Sequence, residues 1–252
     1  MLLWLASYPR SGNTFLRLLL RTRYAIASGC SEWKRDKPPP RNFSTSEFFA
    51  PDYSSPDEPI VSSVTGMKTH SLPPNETDPA VYIVRDGRDS LVSYAFFILT
   101  QQARSRPDEV SRHELLKMIR ELIVGPRLSV AQKLREFIRV SPPKYGTWSE
   151  NVDAWTSRQN TVVVRFEDLI ARPGPIADVL VAELGLDLPV VSETIPTFQE
   201  LNAASKSFFR SGTTGGWSEI FTPDLHALFW KYNGATMTRL GYTRSEHLKA
   251  SA

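Results

Sequence analysis

The run Ser7-Tyr8-Pro9-Arg10-Ser11-Gly12-Asn13-Thr14 has the makings of a turn that grips an anion. It follows a short apolar run, residues 2–6, and precedes apolar residues at helical spacing, Phe15, Leu18 and Leu19. Strand, glycine-containing turn and helix start form the layout of a phosphate loop. The first backbone N–H groups of such a helix have no partner in the helix, and its dipole turns the positive end outward. In the ATP-binding version a Lys directly precedes the Ser or Thr whose hydroxyl holds magnesium. Here Asn13 stands at the lysine position, and the cation is Arg10 in the middle of the loop. A donor whose transferred group bears less charge than a γ-phosphate needs no magnesium, so no metal is expected. An ordinary strand-to-helix turn with a cationic surface residue fits the same residues, and the motif alone leaves both readings open.

Such residues need elements to hold them in place. Residues 80–85 form a strong β-run bounded by Pro79 and Asp86-Gly87, residues 161–166 form another, and 61–69 a weaker one. Leu91, Val92, Ala95, Phe96 and Leu99 mark a helix over 89–102. Further helices are predicted over 114–124, 149–157, 175–184 closed by Gly185, and 223–240 opened by Thr222 as N-cap with Pro223 at its first position. Strands alternating with helices predict an α/β fold, a P-loop-type central sheet, mostly parallel, with helices on both faces. Residues 29–59, with Pro38-Pro39-Pro40, Pro51, Pro56 and Pro59, read as an irregular surface excursion, and 205–216 as a polar, flexible one.

The chain of 252 residues fits a single domain, with insertions at about 29–59 and 100–148 available to an acceptor. Thirty basic residues against 27 acidic ones give a formal charge of only +3, so bulk nucleic-acid binding is not expected. Cys30 is the one cysteine, which excludes an internal disulfide and is compatible with a reducing cytoplasm. The N-terminal apolar run is too short for a signal sequence. No stretch approaches the roughly 20 apolar residues of a membrane span, so no membrane partner is expected.

Four stretches, in order along the chain, resemble the PAPS-dependent sulfotransferases, enzymes that use 3′-phosphoadenosine 5′-phosphosulfate (PAPS). The run from Tyr8 to Phe15 is similar to their 5′-phosphosulfate loop, with Arg10 where Lys is more usual and Phe15 where Trp is. Met67-Lys68-Thr69-His70 resembles the strand end whose His is the catalytic base, a role that imidazole suits because it titrates near neutrality. Residues 82–94 resemble the 3′-phosphate motif, a strand ending in Arg85 with Ser93 eight residues later on the next helix. Residues 208–222 resemble the segment that closes over the nucleotide, with Ser211 replacing the usual Lys and Gly216 the usual Asp.

The resemblance implies a sulfuryl transfer from PAPS, as co-substrate, to the hydroxyl of a small-molecule acceptor such as a natural product, phenol, alcohol or sugar. His70 would be the general base, with Lys68 and Arg10 beside the leaving oxygen. Arg10, Ser11, Gly12, Asn13 and Thr14 would cradle the 5′ end, and Arg85, Ser93, Arg210, Ser211 and Gly212 the 3′-phosphate. Phe15, Phe166 and the Thr197-Phe198 pair could face adenine, although core packing fits each Phe as well. His113, His226 and His247 are read as structural. The rival functions are an ATP- and magnesium-dependent kinase and a nucleotide-binding protein without catalysis.

Overall fold

The computed structural model describes residues 1–30, 63–75, 77–104, 127–140, 144–195, 200 and 214–244. The predicted helix over 114–124 and most of the 29–59 excursion lie outside these residues. The described chain divides into two compact units, 1–85 with 153–213 and 86–152 with 214–252.

The first unit carries a five-stranded parallel sheet in the order β2-β3-β1-β4-β5. The strands are β1 Leu2–Ser7, β2 Ala27–Cys30, β3 Thr65–Thr69, β4 Ala80–Val84 and β5 Thr161–Arg165. Alternation sorts their side chains. Leu3 and Leu5 of β1, Val81 and Ile83 of β4 and Val164 of β5 enter one core with Phe15, Leu16 and Leu19 of α1 (Asn13–Tyr24). Leu169 of α5 (Phe166–Ala171) and Leu180 of α6 (Pro173–Glu183) complete it. On the opposite face Tyr82 stacks on Trp155 at 6.1 Å, and Trp155 Nε1 donates to the Ser71 carbonyl at 2.9 Å, fixing the chain just after β3. Arg23, near the end of α1, binds Asp178 of α6 through Nε at 2.6 Å and Nη2 at 2.9 Å. That contact holds the Asp178 carboxyl below its ordinary pKa. Gly185 closes α6 with φ +63°, as its place after the apolar run predicts.

β2 falls at the start of the segment expected to be irregular. Ala-Ser-Gly-Cys has little intrinsic strand preference, and the pairing with β3, Ala27 opposite Thr65 through Cys30 opposite Lys68, is what makes it a strand.

The second unit is helical. It contains α2 (Gly87–Arg104), α3 (Arg127–Arg139), the start of α4 (Trp148–Thr156), a 3-10 turn (Gly216–Glu219) and α7 (Pro223–Arg239). α3 lies within the 100–148 insertion, where a helix is predicted only over 114–124: Val130, Leu134, Phe137 and Ile138 are all buried, at the spacing of one helical face. The Thr222 hydroxyl accepts from Leu225 N–H at 3.4 Å, the predicted N-cap of α7.

Arg88, 0% exposed, is gripped by Asp86 through Nε at 3.0 Å and Nη2 at 2.6 Å. Its Cζ lies 3.9 Å from the centre of the Trp217 ring. His226 stacks on Trp217 at 5.4 Å, and its Nε2 accepts from Trp230 Nε1–H at 2.9 Å. An indole N–H only donates, so that imidazole nitrogen carries no proton in the folded protein. Burial first, then the charges of Arg88 and Arg244, hold the His226 pKa below its ordinary 6.5. Stability from the neutral ring is therefore complete above pH 6.5 and is lost as pH falls below it, where the unfolded chain takes up the proton first. Thermal unfolding across that range should show this slope and His226→Phe should flatten it. An equal slope in both proteins would exclude this ring as the source.

Candidate active site

The loop after β1 begins beside the ends of both neighbouring strands, because Ala6 pairs with Thr69 of β3 and Ser7 with Ile83 of β4. The chain leaves β1 toward β2, on the far side of β3, and leaves β4 in the other direction. Parallel sheets bind ligands in the crevice at such a reversal, outside the carboxyl ends of the strands. The sheet order thus brings three separate sequence motifs of this unit to one edge.

Within the loop two residues take left-handed backbone angles, Arg10 with φ +67° and Gly12 with φ +99°. The first is uncommon for a residue with a side chain and marks a constrained turn. Gly12 is the N-cap of α1, and its carbonyl accepts from Phe15 N–H at 2.9 Å and Leu16 N–H at 3.2 Å. A Cβ at Gly12 would stand 2.4 Å from the Phe166 ring. The loop therefore lies directly on that ring, and the Arg85 guanidinium lies over the same ring at 4.5 Å. Arg85 Nη1 donates to the Arg10 carbonyl at 3.0 Å, which ties the end of β4 to the loop after β1.

His70 comes one residue past the end of β3. Its Nδ1 lies 2.8 Å from the Ser7 carbonyl oxygen and 3.2 Å from Ser7 Oγ. The His70 imidazole at Ser7 and the Arg85 guanidinium at the Arg10 carbonyl thus flank the turn that leads into α1, an arrangement that can hold an anion and accept a proton beside it.

A family model described as the sulfotransferase domain matches residues 2–241. The chain belongs to the sulfotransferase family. Solved structures agree on the fold of this sulfotransferase. A mouse sulfotransferase, SULT7A1, complexed with PAP superposes with a TM-score of 0.57 at 18% identity, covering 94% of this chain and 84% of that one. Retinol dehydratase in complex with androsterone and the inactive cofactor PAP gives 0.51 at 17% identity, covering 94% and 80%. The same enzyme in a complex with retinol and PAP gives 0.50 at 16%, covering 94% and 81%. No curated protein sequence matches the chain significantly.

Among the described residues, the other predicted site residues of the sulfotransferase are spread over the loop, α1, β3, α2 and α5. Phe15 and Phe166 are each 2% exposed and pack in the core, the packing that the sequence also allows for each. Asn13 is buried, and its side chain is turned toward β1, where Nδ2 donates to the Leu5 carbonyl at 2.8 Å. Lys68 Nζ donates to Cys30 Sγ on β2 at 3.7 Å. Ser11 is buried in the loop and Thr14 is half-buried on the first turn of α1. Ser93 is buried on α2, in the second unit. Asp89, in the same motif, accepts from the N–H groups of Gly215 at 2.8 Å and Trp217 at 2.9 Å, anchoring the start of the described segment 214–244. Thr197, Phe198, Arg210, Ser211 and Gly212 lie outside the described residues. Ser7 was missed as a site residue: it reads as the last residue of a strand, and nothing local in the sequence points from it to His70.

Proposed function

We propose that this sulfotransferase moves a sulfuryl group from PAPS to the hydroxyl of a small-molecule acceptor by in-line displacement, with His70 as general base. The observation that supports it best is the imidazole of His70 held against Ser7 at the root of the phosphate loop, 2.8 Å from its carbonyl. The PAP bound by the mouse sulfotransferase and by retinol dehydratase supports the same nucleotide here, and the retinol and androsterone of the latter support a small acceptor.

In the proposed reaction the acceptor oxygen forms a bond to sulfur while the bond from sulfur to the 5′-phosphate oxygen breaks. The acceptor's proton passes to His70, and the bonding pair leaves on the bisphosphate. Negative charge grows on that leaving oxygen, where fixed cations lower the barrier because they act more strongly on the transition state than on the bound substrate. Arg10 serves there as an electrostatic group, since a guanidinium stays protonated and is a poor acid. Lys68, two residues before the base, adds a second cation to that edge. Arg85 takes the 3′-phosphate.

Calorimetry should find adenosine 3′,5′-bisphosphate binding at least about tenfold tighter than AMP, as one extra charge-assisted contact warrants. Equal affinity would remove the second anion site and the assignment with it. Incubation with sulfur-labelled PAPS and a panel of phenols, alcohols, sugars and peptides then identifies the acceptor.

A further inference from the structure

The buried amide of Asn13 faces the strand beneath the loop, and its hydrogen bonds say what it does there. Asn13 is 4% exposed, and Nδ2 donates to the Leu5 carbonyl at 2.8 Å and to Ser7 Oγ at 3.3 Å. A carbonyl only accepts, so the nitrogen must lie on that side, and both of its hydrogens are taken. The other amide atom, Oδ1, is buried and has no hydrogen-bond partner among the described residues. An acceptor oxygen has nothing to offer the oxygens of a phosphate. The side chain at the lysine position of this loop therefore serves the strand beneath it.

The same inventory settles the tautomer of His70. Nδ1 faces the Ser7 carbonyl at 2.8 Å, an acceptor, so Nδ1 carries the hydrogen and Ser7 Oγ, at 3.2 Å, shares it. In the neutral ring the lone pair then belongs to Nε2.

We propose that Ser7 and Asn13 are positioning residues for the general base: Asn13 holds the Ser7 hydroxyl, and Ser7 holds His70 by Nδ1–H with Nε2 as the basic nitrogen. This polar chain makes the last residue of β1 the third group that orients a catalytic base, and it fastens the base to the first residue of the helix behind the phosphate loop. The proposal rests on reading His70 as that base.

The test compares the intact chain with Ser7→Ala, Asn13→Ala and the double variant, using PAPS and the acceptor of the panel that turns over fastest. Each single variant should lower kcat about three- to tenfold, a fraction of what a general base supplies, because the Ser7 carbonyl at 2.8 Å stays and only the hydroxyl's share of the hold is lost. The double variant should be no worse than the worse single, because the two residues act as a unit. The Kd for adenosine 3′,5′-bisphosphate should change less than about twofold, since neither side chain touches a phosphate. Nitrogen NMR of the histidine-labelled intact chain should find neutral His70 protonated at Nδ1, with that signal displaced in both single variants.

An Nε2–H tautomer overturns the proposal even if a variant fails to fold. So does wild-type kcat in the variants, or an Asn13→Ala protein that loses nucleotide affinity while keeping kcat. A His70→Ala protein that still turns over at the wild-type rate would sink the reading of the base instead, and is separable from these outcomes.

Discussion

His70→Ala is expected to lower kcat by about 10²–10⁴-fold while leaving the affinity for adenosine 3′,5′-bisphosphate nearly intact. The imidazole is held through Nδ1 by Ser7, on the loop's own strand, so the bonds that define its position are bonds to protein. Removing the ring takes away the acceptor of the hydroxyl proton, and the attacking oxygen must then lose that proton to water. The loop itself keeps Gly12, Arg10 and the Arg85 contact at 3.0 Å, none of which depends on the ring. Single-turnover assays with labelled PAPS measure the loss, and added imidazole should restore part of the rate. A variant that binds the bisphosphate and transfers at the normal rate would remove His70 from the mechanism. A variant that no longer binds it would show that the residue's part is to shape the loop.

The second large effect is expected at Gly12. Its φ of +99° disfavours any side chain, and a Cβ would lie 2.4 and 2.7 Å from two carbons of the Phe166 ring. The ring cannot swing aside cheaply, because it is 2% exposed in the core and carries the Arg85 guanidinium on it at 4.5 Å. Gly12→Ala should therefore combine backbone strain with overpacking and lower stability by about 2–5 kcal/mol. Whatever fraction folds should bind the bisphosphate weakly, since shifting Phe166 also shifts Arg85 and its hold on the Arg10 carbonyl. Gly185→Ala is the control in the same unit. Its φ is +63° with nothing within 4 Å of the added carbon, so only the left-handed backbone term of about 1–2 kcal/mol applies. Urea unfolding of the two variants measures the difference. Equal losses would mean that Gly12 is needed for its backbone angle and not for the contact with Phe166.

The parts of the site that could be read without coordinates are those whose chemistry is local. The turn Tyr8–Thr14 declares itself by a glycine between an apolar run and a helical one, and α1 begins at Asn13 as that pattern requires. The β-run over 80–85 is bounded by proline and Asp-Gly, and β4 covers it up to Val84. The helix α3 was also legible, since Val130, Leu134, Phe137 and Ile138 repeat at helical spacing, yet no helix is predicted there. β2 was not legible at all, because its four residues owe their extension to β3.

Residue types and spacing were enough to determine that this chain has a glycine-containing turn between a strand and a helix without the ATP-type lysine, an imidazole at a strand end and an arginine at another. Only the fold decided that His70 touches Ser7, 63 residues away, that Asn13 faces β1, and that Phe166 lies under Gly12 and Arg85. The reason is physical. Periodicity and turn chemistry report the preferences of neighbours in the chain, whereas the order of strands in a parallel sheet sets which distant ends meet, and that order follows from the burial of all the strands together.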